Sequence, residues 1–158
     1  MTSYESQALL DETAMRILEE LQTDGRTTMA ELGRRVALSA PAVAERVKRL
    51  EEAGIIKGYR AVVDPARLGY GLAAIVRMAP HVTERTTLDS LQASIGRLPE
   101  VLECWHTVGD DCFFMRVVLR DARHLECFLE EMMRLGKTST AIVLSTTVEG
   151  RAVKPLVG

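Results

Sequence analysis

The sequence predicts an α+β fold in two modules. Two observations carry that prediction: three short amphipathic helices lead the chain, and a β-α-β-β-α-β order follows a Pro- and Gly-rich break. By this reading residues 1–63 form the first module, 64–71 the linker and 72–158 the second.

The first helix carries its apolar residues Leu10, Ala14, Ile17, Leu18 and Leu21 on one stripe, and Asp24-Gly25 marks the turn that ends it. Thr27 and Thr28 open the second helix. Thr28 to Glu31 matches a capping box, and Met29, Leu32 and Val36 form the buried face. After a short break at Ala37-Leu38, the stretch "LSAPAVAERVKRLEEAGII", Leu38 to Ile56, reads as a third helix. Ser39 caps it, Pro41 occupies its first turn, and Gly54 stops it with Ile55 placed to touch Leu50. Helices this closely joined describe a helix-turn-helix. "IIKGYRAVVD", Ile55 to Asp64, is β-rich and is expected to form a wing; "DPARLGYGL", Asp64 to Leu72, reads as the linker.

In the second module "LAAIVRMAP" reads as a strand and "TTLDSLQASIGRLP" as a helix burying Leu88, Leu91, Ile95 and Leu98. "VLECWHTV" and "CFFMRVVL" read as strands joined at "GDD". "DARHLECFLEEMMRLG" is a helix capped by Asp121, and "TAIVLSTTVEG", from Thr140, is the last strand. This order is the ferredoxin-like arrangement. "CFFMRVVL" is apolar on both alternating faces, with Phe114 and Val118 on one side and Phe113, Met115, Val117 and Leu119 on the other. Two helices cover only one face of such a sheet, so the second apolar face implies a homodimer.

Composition narrows the function classes. The 158 residues are 47% hydrophobic and 27% charged, which fits a globular chain rather than a disordered one. No apolar run approaches the ~18 residues of a membrane span. "MTSYESQALLDE" has neither the basic nor the apolar region of a signal peptide, so the expected location is the cytoplasm. Cys104, Cys112 and Cys127 are odd in number and form no C-x-x-C pair. Reduced thiols are expected, with no metal site and no cofactor. From Arg26 to Arg60 eight bases face four acids, a net +4 that leaves −6 for the rest of a chain of formal charge −2. A basic module on an acidic body suggests a polyanion partner for that module, with double-stranded DNA the candidate and a plainly solvated helical surface the alternative that charge alone leaves open.

The outward face of the third helix carries Pro41, Ala42, Glu45, Lys48, Arg49 and Glu52. In a helix-turn-helix the N-terminal part of such a helix reads base edges, here Ser39, Ala40, Pro41, Ala42 and Glu45. The small residues suit thymine methyls, and Glu45 suits a cytosine amino group. Lys48 and Arg49 sit a turn later, where phosphates lie; Thr28 at a helix N-terminus, with Lys57 and Arg60 in the wing, extends the backbone contacts. The competing reading pairs Lys48 and Arg49 with Glu45 and Glu52 on a solvated surface. Arg46, at the edge of the apolar stripe, is expected in a structural ion pair with Glu31 or another acid of the head.

"ELGRRVALSAPAVAERVKRLEEAGIIKGY", "LDETAMRIL" and "VGDDCFFMRV" together resemble the leucine-responsive and asparagine-responsive (Lrp/AsnC, or feast/famine) transcription regulators over nearly the whole chain. The resemblance implies a winged helix-turn-helix, a ferredoxin-like ligand-sensing domain, dimers that often assemble into octamers, and transcription control by amino acids. Three positions depart from the family pattern. Ala14 stands where an acid is usual, Ala37 where the turn often has Gly, and Cys112 where an aromatic is common.

"VGDD" is first of all a strand-to-strand turn. The resemblance adds an amino-acid site there, at a subunit interface, involving Gly109, Asp110 and Asp111, with an aspartate for the α-ammonium and backbone N–H groups for the carboxylate. Thr138, Ser139 and Thr140 would supply a neighbouring wall, and Cys112 beside Phe113 favours an apolar or amide amino acid. Two alternatives remain: an architectural protein that wraps DNA with little sequence preference, and an enzyme like the tetrapyrrole decarboxylases that share this layout. The separated His81, His106 and His124, and the lack of a nucleophile or paired carboxylates, argue against an enzyme.

Overall fold

Asp11, Thr28 and Ser39 each place a side-chain oxygen on the amide three residues ahead, at 2.7, 3.2 and 3.4 Å from the nitrogens of Ala14, Glu31 and Ala42. These caps start α1 (Glu12–Thr23), α2 (Met29–Val36) and α3 (Ala40–Glu52) of the computed structural model, which describes residues 9–82 and 84–154. Thr28 alone caps α2; the neighbouring Thr27 is buried, and its Oγ1 has no hydrogen-bond partner among the described residues. Only half of the capping box forms, because the Glu31 carboxylate turns to Arg34 and Arg35.

The core of this head joins Ala14, Ile17 and Leu21 of α1 to Leu32 and Val36 of α2 and to Val43, Val47 and Leu50 of α3. Two backbone features set the α2–α3 joint. A Cβ on Gly33 would lie 2.6 Å from the Leu38 carbonyl oxygen, so glycine is what lets the turn close. Ala37, the residue of the turn itself, sits in the left-handed region at φ 59°, which costs an L-residue about 1–2 kcal/mol. Gly54, at φ +69°, then stops α3, and the Ile55 and Ile56 amides both donate to the Leu50 carbonyl oxygen.

The expected wing is not a strand. Residues 57–64 hold no helix or strand, since among the described residues nothing pairs with them. They border a cleft of about 740 Å³ on α1, lined by Leu10, Leu18, Leu21, Ile55, Ile56 and Val62 among others. The C-terminal segment also differs from expectation. The chain divides into 1–62 with 148–158, and 63–147, so the described residues 148–154 group with the head rather than the sheet. Gln22 binds that segment twice, accepting from the Val153 amide at 2.8 Å and donating to its carbonyl at 3.0 Å.

The second unit opens with a 3₁₀ turn, Pro65–Leu68, capped by Asp64 and closed by Gly69 at φ +92°. Then follow β1 (Leu72–Pro80), α4 (Arg85–Ile95), β2 (Val101–His106), β3 (Phe113–Leu119), α5 (Ala122–Met133) and β4 (Gly136–Ile142). The sheet order is β2-β3-β1-β4, every pair antiparallel. Both helices cover one face, where Leu91, Ile95, Leu125, Phe128 and Met132 meet Ala74, Val76, Met78, Phe113, Met115, Val117 and Leu119. β4 starts four residues before the expected Thr140 and ends at Ile142. Its register explains the shift: Gly136 lies opposite Pro80, and a Cβ there would collide with the Ala79 carbonyl, so a close backbone approach begins the strand.

The outer sheet face is mixed rather than apolar throughout. Ala73, Ile75, Phe114, Val118 and Trp105 share it with two ion pairs, Arg116–Glu103 at 2.9 Å and Arg77–Asp111 at 3.2 Å.

The α2–α3 joint yields a pair of opposite outcomes in thermal unfolding. Ala37→Gly relieves the left-handed strain and raises stability by about 1 kcal/mol, a shift of several degrees for a unit this small. Gly33→Ala drives a methyl into the Leu38 carbonyl and lowers it. A destabilising Ala37→Gly would refute this geometry.

Candidate nucleic-acid interface and effector loop

Val43, Val47 and Leu50 hold α3 to the head, so helical periodicity turns Pro41, Ala42, Glu45, Lys48, Arg49 and Glu52 outward, and all six are exposed. Ser39 is exposed at the cap and Ala40 is half-buried behind it. The charges on this face form two pairs one helical turn apart: Arg49 Nε to Glu45 Oε1 at 3.0 Å, and Lys48 Nζ to Glu52 Oε1 at 3.6 Å. More than half of each of these side chains is exposed, and such surface pairs contribute only ~0–1 kcal/mol.

The remaining bases of the head separate into held and free. Arg35 lies between Glu20 at 2.6 Å and Glu31 at 3.2 Å, and those two carboxylates raise its pKa further, Glu20 the more. Arg34 pairs with Glu31. Arg46 pairs with Asp11 at 2.6 Å, so it is the structural ion pair that the edge position suggested, with an acid from the start of α1 instead of Glu31. Arg26, Lys57 and Arg60 have no ion-pair partner among the described residues, and Thr28 and Lys57 are both exposed. Tyr59, beyond α3, donates to Glu51 at 3.0 Å; burial, then that carboxylate, raises its phenol pKa.

In the second unit the β2–β3 connection is shaped by its own hydrogen bonds. Gly109 sits at φ +137° with open space around it, a conformation that favours glycine. The Thr107 hydroxyl donates to the Asp111 carbonyl at 3.0 Å, and the Thr107 amide donates to the Cys112 carbonyl at 2.8 Å. Asp110 is exposed. Asp111 is drawn onto the outer sheet face by Arg77 of β1, whose second terminal nitrogen donates to Ser139 Oγ at 2.8 Å. Strand alternation separates the expected wall. Ser139 lies opposite Arg77 on the outer face, whereas Thr138 and Thr140 lie opposite Met78 and Val76 on the helix side.

The structure therefore brings Asp111 and Ser139 together through a residue the sequence reading did not single out. Arg77 is the lone charge in "LAAIVRMAP", a signal visible in the sequence, but its partners depend on register. The histidines stay apart. His106 stacks on Phe113 at 4.9 Å, His124 meets Glu100 at 3.0 Å, and His81 lies 3.3 Å from the Met133 carbonyl. Among the described residues no three His, Cys, Asp or Glu side chains gather as a metal site would need.

The Asp11–Arg46 pair makes a pH-dependent prediction. The Ala14 amide, then Arg46, lowers the Asp11 carboxyl pKa below its usual range. A lowered pKa stabilises above the unfolded value and loses that contribution as pH falls through the folded one. Asp11→Ala is thus expected to lower the melting temperature of the head at pH 7, with the gap narrowing below about pH 4. A gap that is constant with pH in a calorimetric series would show that neither the Ala14 amide nor Arg46 favours the charged carboxylate in the folded head.

Comparison with known proteins matches both units. Residues 10–57 fit a family described as winged helix-turn-helix DNA-binding, and residues 73–153 fit the Lrp/AsnC ligand binding domain. The chain is 38% identical to an HTH-type transcriptional regulator of Mycobacterium tuberculosis, covering 89% of this chain and 95% of that protein. It is 37% identical to the leucine-responsive regulatory protein of Rhizobium meliloti, covering 92% of each. Among solved structures, a Neisseria meningitidis transcriptional regulator in complex with L-Met superposes with a TM-score of 0.85 at 29% identity, covering 91% of this chain and 96% of that one. Bacillus subtilis LrpC superposes with a TM-score of 0.82 at 32% identity, covering 88% and 97%.

Proposed function

Because the chain belongs to the Lrp/AsnC family of transcription regulators, a ligand-responsive DNA-binding class, we propose which of its surfaces carry each half of that activity. The outward face of α3 enters the major groove. The observation that carries this assignment is the exposed row from Pro41 to Glu52, set opposite a fully engaged apolar stripe. Ser39, Ala40, Pro41, Ala42 and Glu45 lead into the groove. They offer apolar contact and one acceptor but no bidentate donor, so DNA shape and bendability share the recognition. Thr28, at the N-terminus of α2, and Lys57 take backbone phosphates.

Lys48 and Arg49 act as phosphate clamps in this account, and their acidic partners hold them in reserve. Opening such exposed pairs costs little, and a phosphate replaces the carboxylate. Lys48→Ala and Arg49→Ala should each weaken binding to all DNA sequences alike and lower the salt slope by about one. Glu45→Ala should raise affinity for random DNA while narrowing the margin for a true site. An unchanged salt slope in the lysine and arginine variants would remove the clamps.

For the sensing half, the effector is an amino acid held at Gly109, Asp110 and Asp111, with Ser139 on the adjoining strand. The relative from Neisseria meningitidis, solved with L-Met, supports a ligand of this class. Thr138 and Thr140 face the helix side of β4 and contribute to the site only through its backbone.

Two DNA-binding heads match the two-fold symmetry of a typical operator, and we propose that the outer sheet face joins two copies. Ile75, Phe114 and the half-exposed Trp105 supply its apolar area, and the Arg116–Glu103 pair supplies polar contacts. Sedimentation of the full chain at micromolar concentration should give a dimer or a larger assembly, with Trp105→Glu shifting it toward smaller species. A wild-type monomer under those conditions would refute the shared face.

A further inference from the structure

Apolar side chains left exposed around a concave surface mark a binding site more often than scattered ones do. The head gathers several of them at its cleft of about 740 Å³, a volume within the roughly 300–1,000 Å³ of small-molecule pockets. Val62 and Val153 line it while 83% and 78% exposed. Leu18 and Leu21 of α1, with Ile55 and Ile56 beyond α3, complete its apolar lining.

Both sides of the cleft are held in place, although neither belongs to a strand. On one side Tyr59 anchors the irregular segment that follows α3. A Cβ on Gly25 would lie 3.5 Å from the Tyr59 ring, so the ring covers the α1–α2 turn closely, and its hydroxyl donates to Glu51 at 3.0 Å. On the other side Gln22 binds both backbone groups of Val153, and Lys154 pairs with Glu19 at 3.5 Å. A cleft shaped before its ligand arrives loses little to ordering on binding.

The charges around it are of one sign. Arg26, Lys57, Arg60 and Lys154 line the cleft, and among the described residues no Asp or Glu does. Lys154 is engaged by Glu19, and Lys57 is the base assigned above to a DNA phosphate. That leaves Arg26 and Arg60. Neither guanidinium has an ion-pair partner among the described residues, and Asp24 takes only the backbone amide of Arg26. A guanidinium fork suits a carboxylate, which it grips through two parallel hydrogen bonds.

We infer that this cleft binds an apolar monocarboxylate, an acid of the medium-chain fatty-acid class. Its alkyl body lies against Leu18, Ile55 and Val62, and Arg26 and Arg60 supply the cations for its carboxylate. An α-amino acid does not suit the same place, because its ammonium would meet four bases and no acid to receive it. The site is therefore separate from the amino-acid site proposed above, and it stands or falls without it.

The test is calorimetry on the full chain with octanoate, butanoate and octylammonium, each below the concentration at which it self-associates. Octanoate should bind at least about tenfold more tightly than octylammonium, which has the same chain and the opposite charge. Affinity should rise about fourfold for each methylene added between butanoate and octanoate. Arg26→Gln and Arg60→Gln, both at exposed positions, should each weaken octanoate severalfold, and Arg97→Gln in the second unit should leave it unchanged. Val62→Asp places an acid in the cleft and should turn the preference toward octylammonium. Equal binding of octanoate and octylammonium by the wild type would overturn the inference. So would an octanoate affinity that the two cleft arginines do not affect, that Arg97→Gln lowers as much, or that Val62→Asp leaves intact. A wild-type chain that takes up no octanoate would overturn it too, the outcome expected if a second copy or a partner protein fills the cleft instead.

Discussion

The two-residue alternation of β1, locked by pairing on both sides, is the constraint on which the second unit depends. β1 is the strand that meets both β3 and β4, so its register fixes both neighbours at once. A slip of one residue would carry Met78 out of the core and Arg77 into it, exchanging buried apolar surface for a buried charge. The same register that builds the core therefore delivers Arg77, Ser139 and Asp111 to one face. The core and this outer face are two readings of one alternation, which ties the placement of the β2–β3 connection to the stability of the sheet.

The head meets a comparable demand by different means. The surface proposed to meet DNA exists only if α3 crosses α2 closely enough to bury Val43 and Val47, and that approach is set where Gly33 faces the Leu38 carbonyl. Around that joint the charges are allocated. Arg35 and Arg46 are tied to acids of α1 and α2 and brace the helices, whereas Lys48 and Arg49 rest on acids of their own helix one turn away. Ties between helices resist motion. Ties within one exposed helical face exchange easily with an outside anion, and this is the physical difference between the structural bases and those proposed to meet phosphate.

Much of the fold was legible in the sequence because local signals and tertiary packing agree. The caps Asp121, Thr28 and Ser39, the stop at Gly54 and the stripe of α3 each answer to a short-range rule, and each appears in the structure. What was not legible depends on partners distant in the chain. "KTS", Lys137 to Ser139, is polar and belongs to no element read from the sequence, yet pairing with β1 makes it part of a strand. "KGYRAVVD" has strand composition, but the described residues offer it no partner and it stays irregular. The site was legible to the same extent. The exposed row on α3 follows from helical periodicity alone, whereas Arg77, and the division of Ser139 from Thr138 and Thr140, follow from register. Arg46 shows the boundary between the two: its position announced an ion pair, and only the fold supplied Asp11 as the partner.

These elements belong to a ligand-responsive DNA-binding regulator; on the proposed reading the ligand is an amino acid, and linkage requires that it shift the preference for a true site. The most direct measurement is fluorescence anisotropy with DNA from upstream of the protein's own coding sequence and a shuffled duplex of equal composition, each titrated with and without a mixture of the common amino acids. The account predicts tighter binding to the upstream DNA and a shift in its Kd when the amino acids are present. Equal affinity for both duplexes, unchanged by the mixture, would contradict it and leave a protein that wraps DNA without reading it.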